Sequence, residues 1–282
     1  MKKKKLKPKW KNIILLIIIL ICIITIFIST KDIIKWMIDS NKTEKQIKEI
    51  TDIVEVEEVK ENENTEIIEQ KEEPPKENPY WDYIKMNMIN VNFNELKQKN
   101  PDTKGWIQVN GTNINYPFVQ ANDNKFYLNH TYNKTYNSAG WVFLDYRNNI
   151  NELSKNTIIY AHGRLDTTMF GSLKNILSSG WLNNTNNYVV KLSTETENTL
   201  WQVFSVYHIP TTNDYIKVNF YSNEEFNKWS NMLLNRSAHN FNTTITENDK
   251  VLTLSTCYND KEKVVLHAKL IKKETRYLNC TP

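Results

Sequence analysis

Cysteine is scarce in this sequence, with three residues in 282. That excludes a small scaffold built on disulfides. Six glycines and eight prolines exclude collagen-like and glycine-rich repeats, and no internal repeat is visible. Positive charge is missing where a nucleic-acid binder needs it. The formal net charge is +4, but Lys2, Lys3, Lys4, Lys5, Lys7, Lys9 and Lys11 crowd the first eleven residues, which leaves the remaining chain net acidic. A nucleic-acid partner calls for basic surface on the folded domain, so that class is excluded. Metal-ligand spacing is also absent: His130, His208, His239 and His267 stand apart from cysteines and carboxylates. Asp145 and Asp166 have no carboxylate partner at a useful spacing. No metal or organic cofactor is implied.

What is present is apolar and aromatic material sufficient for a packed core: 40% hydrophobic residues, with 8 Trp, 14 Tyr and 10 Phe. The longest apolar run is Ile13 to Ile28, interrupted only by Thr25. As a helix it spans roughly 24 Å, and Ile33, Ile34, Trp36 and Met37 extend it toward the ~30 Å of a hydrocarbon core. Lysines precede the run and no small-residue cleavage site follows it. The expected arrangement is a basic cytoplasmic tail over residues 1–11 and an uncleaved transmembrane signal anchor over 12–37. The rest of the chain is expected outside the cell, attached to the cell membrane by this single pass.

Residues 38–78 change in composition. From Asn41 to Asn78 there are thirteen acidic residues, six basic residues and no aromatic one. A solvated stalk is expected there, with the scattered Ile47, Ile50, Ile53 and Val54 leaving a weak amphipathic helix as the other reading. A domain is expected over 79–282. Its opening, Pro79 to Lys99, carries Trp81, Ile84, Met88, Phe93 and Leu96 at helical spacing, broken near Asn90. Strands are expected at Trp106–Val109 and Thr112–Val119, joined by an Asn110-Gly111 turn. Further strands are expected at 140–144, 157–160, 188–192, 200–208, 250–255 and 263–271, with helices at Thr168–Leu177 and Asn223–Asn235. Ser222 and Glu225 form a capping box for the second helix. Many short strands with few helices indicate a mostly antiparallel barrel or sandwich.

Cys257 ends the apolar run that begins at Val251, and His162 follows the apolar run Ile158-Ile159-Tyr160-Ala161. A thiol and an imidazole at two strand ends are the parts of thiol catalysis: the imidazole holds the thiolate and later protonates a leaving amine. Taken residue by residue, a buried structural cysteine and a hydrogen-bonding histidine remain the plainer alternatives.

The run Thr253-Leu254-Ser255-Thr256-Cys257 resembles the T-L-x-T-C signature of sortases, the membrane-anchored cysteine transpeptidases of Gram-positive bacteria. Gly105-Trp106-Ile107, Tyr116-Pro117-Phe118-Val119-Gln120, Asp123-Asn124, Tyr127-Leu128, Phe143-Leu144-Asp145, Tyr160-Ala161-His162 and Met169-Phe170-Gly171 resemble class B sortases in their order. The resemblance covers roughly Pro79 to Ile271. It implies a mostly β fold, an eight-stranded β-barrel with flanking helices. It implies cleavage of a C-terminal sorting signal after Thr through a Cys257 thioacyl intermediate. The partners it implies are surface proteins bearing that signal and an amine acceptor on peptidoglycan peptide or pilin. His162 would be the general acid/base. Asn124, Leu128, Tyr160, Tyr215, Ile216, Ser255 and Thr256 would line the signal groove. Lys263 stands where the family carries an arginine, and Arg164 is a second cation near His162. Two other readings stay open: a hydrolytic cysteine peptidase on the same scaffold, and a surface peptide-binding domain of weak catalytic power.

Overall fold

The computed structural model describes residues 10–59, 65–68, 80–257 and 261–276. The lysines of residues 2–9, Pro74-Pro75, the turn at 258–260 and Cys280 lie outside them. Residues 1–42 and 43–282 form two separate units. Helix α1 (Trp10–Thr51) contributes to both. Among the described residues it is the one helix long and apolar enough to cross a membrane, and its apolar side chains from Ile14 to Ile28 are solvent-exposed.

The second unit is built on strands. β1 (Val56–Val59), β2 (Thr65–Ile67) and β3 (Met88–Val91) are short, and the helices α2 (Tyr80–Tyr83) and α3 (Asn94–Lys99) flank β3. The barrel strands follow: β4 (Thr103–Val109), β5 (Asn115–Val119), β6 (Phe143–Leu144), β7 (Asn156–His162), then, after the single turn α4 (Ser179–Leu182), β8 (Val189–Thr194) and β9 (Glu197–Pro210). Helix α5 (Asn223–Arg236) precedes β10 (Val251–Cys257) and β11 (Glu262–Thr275). The pairing order is β10-β7-β6-β5-β4-β8-β9-β11, and β10 also pairs with β11. Eight strands therefore close on themselves as expected, which leaves no open barrel edge. The pairs β10–β7 and β5–β6 are parallel and the other barrel pairs antiparallel.

Alternation along β10 divides two cores. Leu252 and Leu254 join Trp106, Ile159, Leu266 and Ala268 inside the barrel. Val251 and Val265 belong to a second cluster outside it, with Phe204, Tyr207, Tyr215, Phe226, Trp229 and Leu233. Helix α5 covers that outer cluster. Its Ser222 cap forms as read: the Ser222 hydroxyl accepts from the Glu225 N–H at 3.2 Å, while the Glu225 carboxylate accepts from the Tyr221 N–H at 2.7 Å rather than closing the box on Ser222. Gly111 turns the β4–β5 hairpin at φ +69°, a conformation glycine adopts without a Cβ penalty.

Three segments differ from expectation. Met88–Val91 is strand rather than helix, because β1 supplies an antiparallel partner along its whole length; a short apolar run fits either period. Only Gly171–Leu177 of the helix expected at Thr168–Leu177 forms, and as a 3-10 helix. The Asp166 carboxylate captures both the N–H and the hydroxyl of Thr168 at 3.1 and 2.6 Å, and Thr167 and Met169 sit at φ 64° and 52°, which blocks helix before Phe170. Within the 38–78 segment read as stalk, the described residues from Thr43 onward belong to the second unit. There β1 pairs with β3, and β2 extends the sheet beyond β11. The acidic composition hid both strands, since a short edge strand buries few side chains.

Candidate active site

β10 runs between β7 and β11. Its register places Cys257 opposite His162 on one side and opposite Lys263 on the other. That register is fixed from inside the barrel: a one-residue slip would turn Leu252 and Leu254 out of the core. Positions paired in register share a sheet face. Positions from two separate parts of the sequence thus form one row across three strands.

His162 Nε2 lies 2.7 Å from the Leu128 carbonyl oxygen. A carbonyl only accepts, so Nε2 carries the hydrogen and Nδ1 is the basic nitrogen of the neutral ring. Burial pushes the imidazole below its ordinary value. The Leu128 carbonyl opposes that shift, and the charges of Arg164 and Lys263 add to it. Gly140, at φ +60°, approaches the Leu128 carbonyl closely. A Cβ there would lie 2.5 Å from the Tyr127 carbonyl oxygen and 2.7 Å from that of Leu128.

Asn124, Tyr160 and Ile216 come together around a residue to which the sequence pattern gives no role of its own. Asp145 is fully buried. Its carboxylate accepts from Asn124 Nδ2 at 2.9 Å, Tyr160 Oη at 2.9 Å, and Arg147 Nε and Nη2 at 2.8 and 2.7 Å. Arg147 Nη2 also donates to the Ile216 carbonyl at 3.0 Å. Burial pushes the Asp145 carboxyl up, but the hydrogen bonds from Arg147, Asn124 and Tyr160 outweigh it and hold the group below the usual carboxylate value. An acid at a strand end two residues before an arginine was the available sequence signal.

The other expected groove residues are arranged differently. Tyr215 is buried, and its hydroxyl lies 2.9 Å from the Ser255 hydroxyl, on the face that carries the Cys257 row. Thr256 pairs with Ala161 and Val264, both members of the barrel core, so strand alternation places it on the opposite face. It lines a cavity of about 220 Å³ with Gly163, Arg164, Phe170 and Lys174. Arg164 is engaged there: its Nε and Nη2 donate to Asp166 at 3.1 and 2.7 Å, and Nε to Thr168 at 3.1 Å. Lys263 is half-buried and in register with Cys257, whereas Arg164 lies two residues beyond His162, outside that row.

A closed eight-stranded barrel with Cys, His and Lys positions in register at one end of neighbouring strands is a scaffold suited to thiol chemistry. Residues 107–271 match the sortase domain. The chain is 31% identical to sortase B of Staphylococcus aureus (strain NCTC 8325 / PS 47) over 188 residues, 65% of this chain and 76% of that relative. The crystal structure of sortase B from B. anthracis in complex with AAEK1 superposes with a TM-score of 0.66 at 32% identity, over 84% of this chain and 99% of that one. A Staphylococcus aureus sortase B–substrate complex gives 0.60 at 32% identity, over 64% and 84%. The chain belongs to the sortase family, in its class B, and is a cysteine transpeptidase.

Proposed function

We propose that this sortase cleaves a C-terminal sorting signal after Thr and joins the new carboxyl group to an amine. The Cys257 thiolate attacks the Thr carbonyl carbon, and the tetrahedral oxyanion collapses with cleavage of the C–N bond. His162 gives its proton to the departing amine. The resulting thioester is attacked by an amine on peptidoglycan peptide or pilin, His162 takes that amine's proton, and Cys257 leaves as thiolate. Lys263 steadies the peptide and the oxyanion with a point charge, in the role an arginine fork would fill. Asn124, Leu128, Tyr160 and Ile216 line the groove, with Ser255 beside the row; Tyr215 supports Ser255 from its buried position. The apolar stretch of α1 anchors the enzyme with the lysine-rich N-terminus in the cytoplasm and the barrel outside.

The observation that carries this reading is the register of Cys257 with His162 and Lys263 across three strands. A bound substrate on a sortase B of the same fold supports it. The test incubates the full chain, in detergent, with a panel of N/S/P-P-x-T-x peptides and a set of amines, followed by mass spectrometry. Expected are a thioacyl adduct on Cys257, absent in Cys257→Ala, and amine-linked product. Free acid alone, whatever amine is added, would replace transfer by hydrolysis. Peptide binding without adduct or cleavage would leave a binding domain.

A further inference from the structure

We infer that Asp145 is a positioning residue that sets the hydrogen-bond polarity of the signal groove. The inference rests on the groove reading above. Three segments far apart in sequence supply the groove side chains or backbone: the loop holding Asn124, strand β7 with Tyr160, and the loop before α5 with Ile216. All three are tied to one buried carboxylate, two directly and the third through Arg147. No other carboxylate contacts these groups among the described residues.

The chemistry of the carboxylate decides what the groove offers. An ionised carboxylate only accepts. The Tyr160 hydroxyl must therefore spend its hydrogen on Asp145, and its oxygen faces a ligand as an acceptor. Asn124 must turn Nδ2 toward Asp145, and its Oδ1 accepts from the Tyr146 N–H at 3.0 Å. That double constraint fixes the amide orientation and leaves the second Nδ2 hydrogen as a donor. Asn124 and Tyr160 are both half-buried rather than sealed. One donor and one acceptor at fixed places match the C=O and N–H of a peptide main chain. The groove thus reads backbone at this point, and it accepts different side chains there as long as an N–H is present. Arg147 completes the device. Its bidentate contact keeps Asp145 ionised in a buried place, and its bond to the Ile216 carbonyl sets the opposite wall.

The test uses the full chain with a cleaved signal peptide. Asp145→Asn puts an amide hydrogen among the same donors and should raise KM about tenfold with kcat changed less than about twofold, the pattern of lost uniform binding. The rate of Cys257 alkylation by iodoacetamide should stay at the wild-type value, because the thiol row is untouched. Tyr160→Phe should raise KM in the wild type and have no further effect in Asp145→Asn. A peptide N-methylated at the recognised N–H should lose affinity for the wild type and little for Asp145→Asn. If Asp145→Asn does not fold, Arg147→Lys, which keeps the carboxylate and releases Ile216, should raise KM at unchanged alkylation rate. Wild-type KM in the altered enzyme, or additive effects of Asp145→Asn and Tyr160→Phe, would overturn the inference while leaving the proposed function intact. No cleavage by the wild type across the panel would overturn the proposed function, and the inference with it.

Discussion

In the proposed reaction Lys263 fills the place where the resemblance to sortases leads one to expect an arginine. An ammonium has three donors on a flexible stem, whereas a guanidinium presents a planar fork. Lys263→Ala should lower kcat/KM by on the order of 10²-fold, the usual cost of one oxyanion donor. Lys263→Arg should retain or increase it, as measured by peptide cleavage. The lysine also acts on His162, whose imidazole its charge helps to depress. Lys263→Gln should accordingly raise the His162 pKa in an NMR titration, and no upward movement would remove Lys263 from the electrostatics of the site. Gly140 bears on the same imidazole through a different contact. Gly140→Ala drives a Cβ toward the Leu128 carbonyl at 2.7 Å in a backbone conformation that L side chains avoid. Both rate and stability should fall, because the acceptor that sets the His162 tautomer must shift.

Elements with strong internal signals were legible in the sequence. The β10 run, the Asn110-Gly111 hairpin and the Ser222 N-cap each state their structure locally, and each forms. The capping contact makes α5 testable alone. Ser222→Ala removes the acceptor of the Glu225 N–H and should cost about 1 kcal/mol, roughly 2–4 °C of melting temperature for a unit of this size. Elements that exist through a distant partner were not legible. β1 and β2 are short and acidic, and only their pairing with β3 and β11 makes them strands. Met88–Val91 carries apolar residues that suit a helix until β1 is added. The site divides the same way. Cys257 and His162 announce themselves at the ends of apolar runs, whereas Asp145 becomes meaningful only when folding brings Asn124, Tyr160 and Arg147 to it. Thr256 shows the converse limit: adjacency to Cys257 in sequence sends it to the other face of the strand.

At the scale of the whole molecule, the outer core links the strands that carry Cys257 and Lys263 to stability in acid. His267 on β11 is completely buried between the barrel wall and α5. Its Nδ1 lies 2.9 Å from the Thr253 hydroxyl and its Nε2 2.7 Å from the Tyr207 hydroxyl, with Phe204, Tyr215 and Trp229 around the ring. Burial pushes its pKa down to about 3, and the Arg236 charge acts in the same direction. In the unfolded chain the imidazole titrates near its ordinary value of 6.5. Between those two values the unfolded state binds a proton that the folded state refuses, so stability is complete above pH ~6.5 and falls on acidification by about 1.4 kcal/mol per unit. His162, also depressed, acts in the same direction. The lowered carboxylates Asp145, Asp214 and Glu225 contribute only at lower pH, near and below their ordinary values, so the interval from pH 6.5 to 5 isolates the histidines. Denaturant unfolding should show about 2 kcal/mol lost between pH 7.5 and 5 from His267 alone. His267→Phe keeps an aromatic ring in the cluster but leaves two hydroxyls without their imidazole partner. It should be less stable than wild type at pH 7.5 and flatter between 7.5 and 5. The difference between the two slopes measures how strongly the packing of α5 on the barrel forces this histidine to stay neutral. An equal slope in His267→Phe would assign the acid sensitivity to other groups.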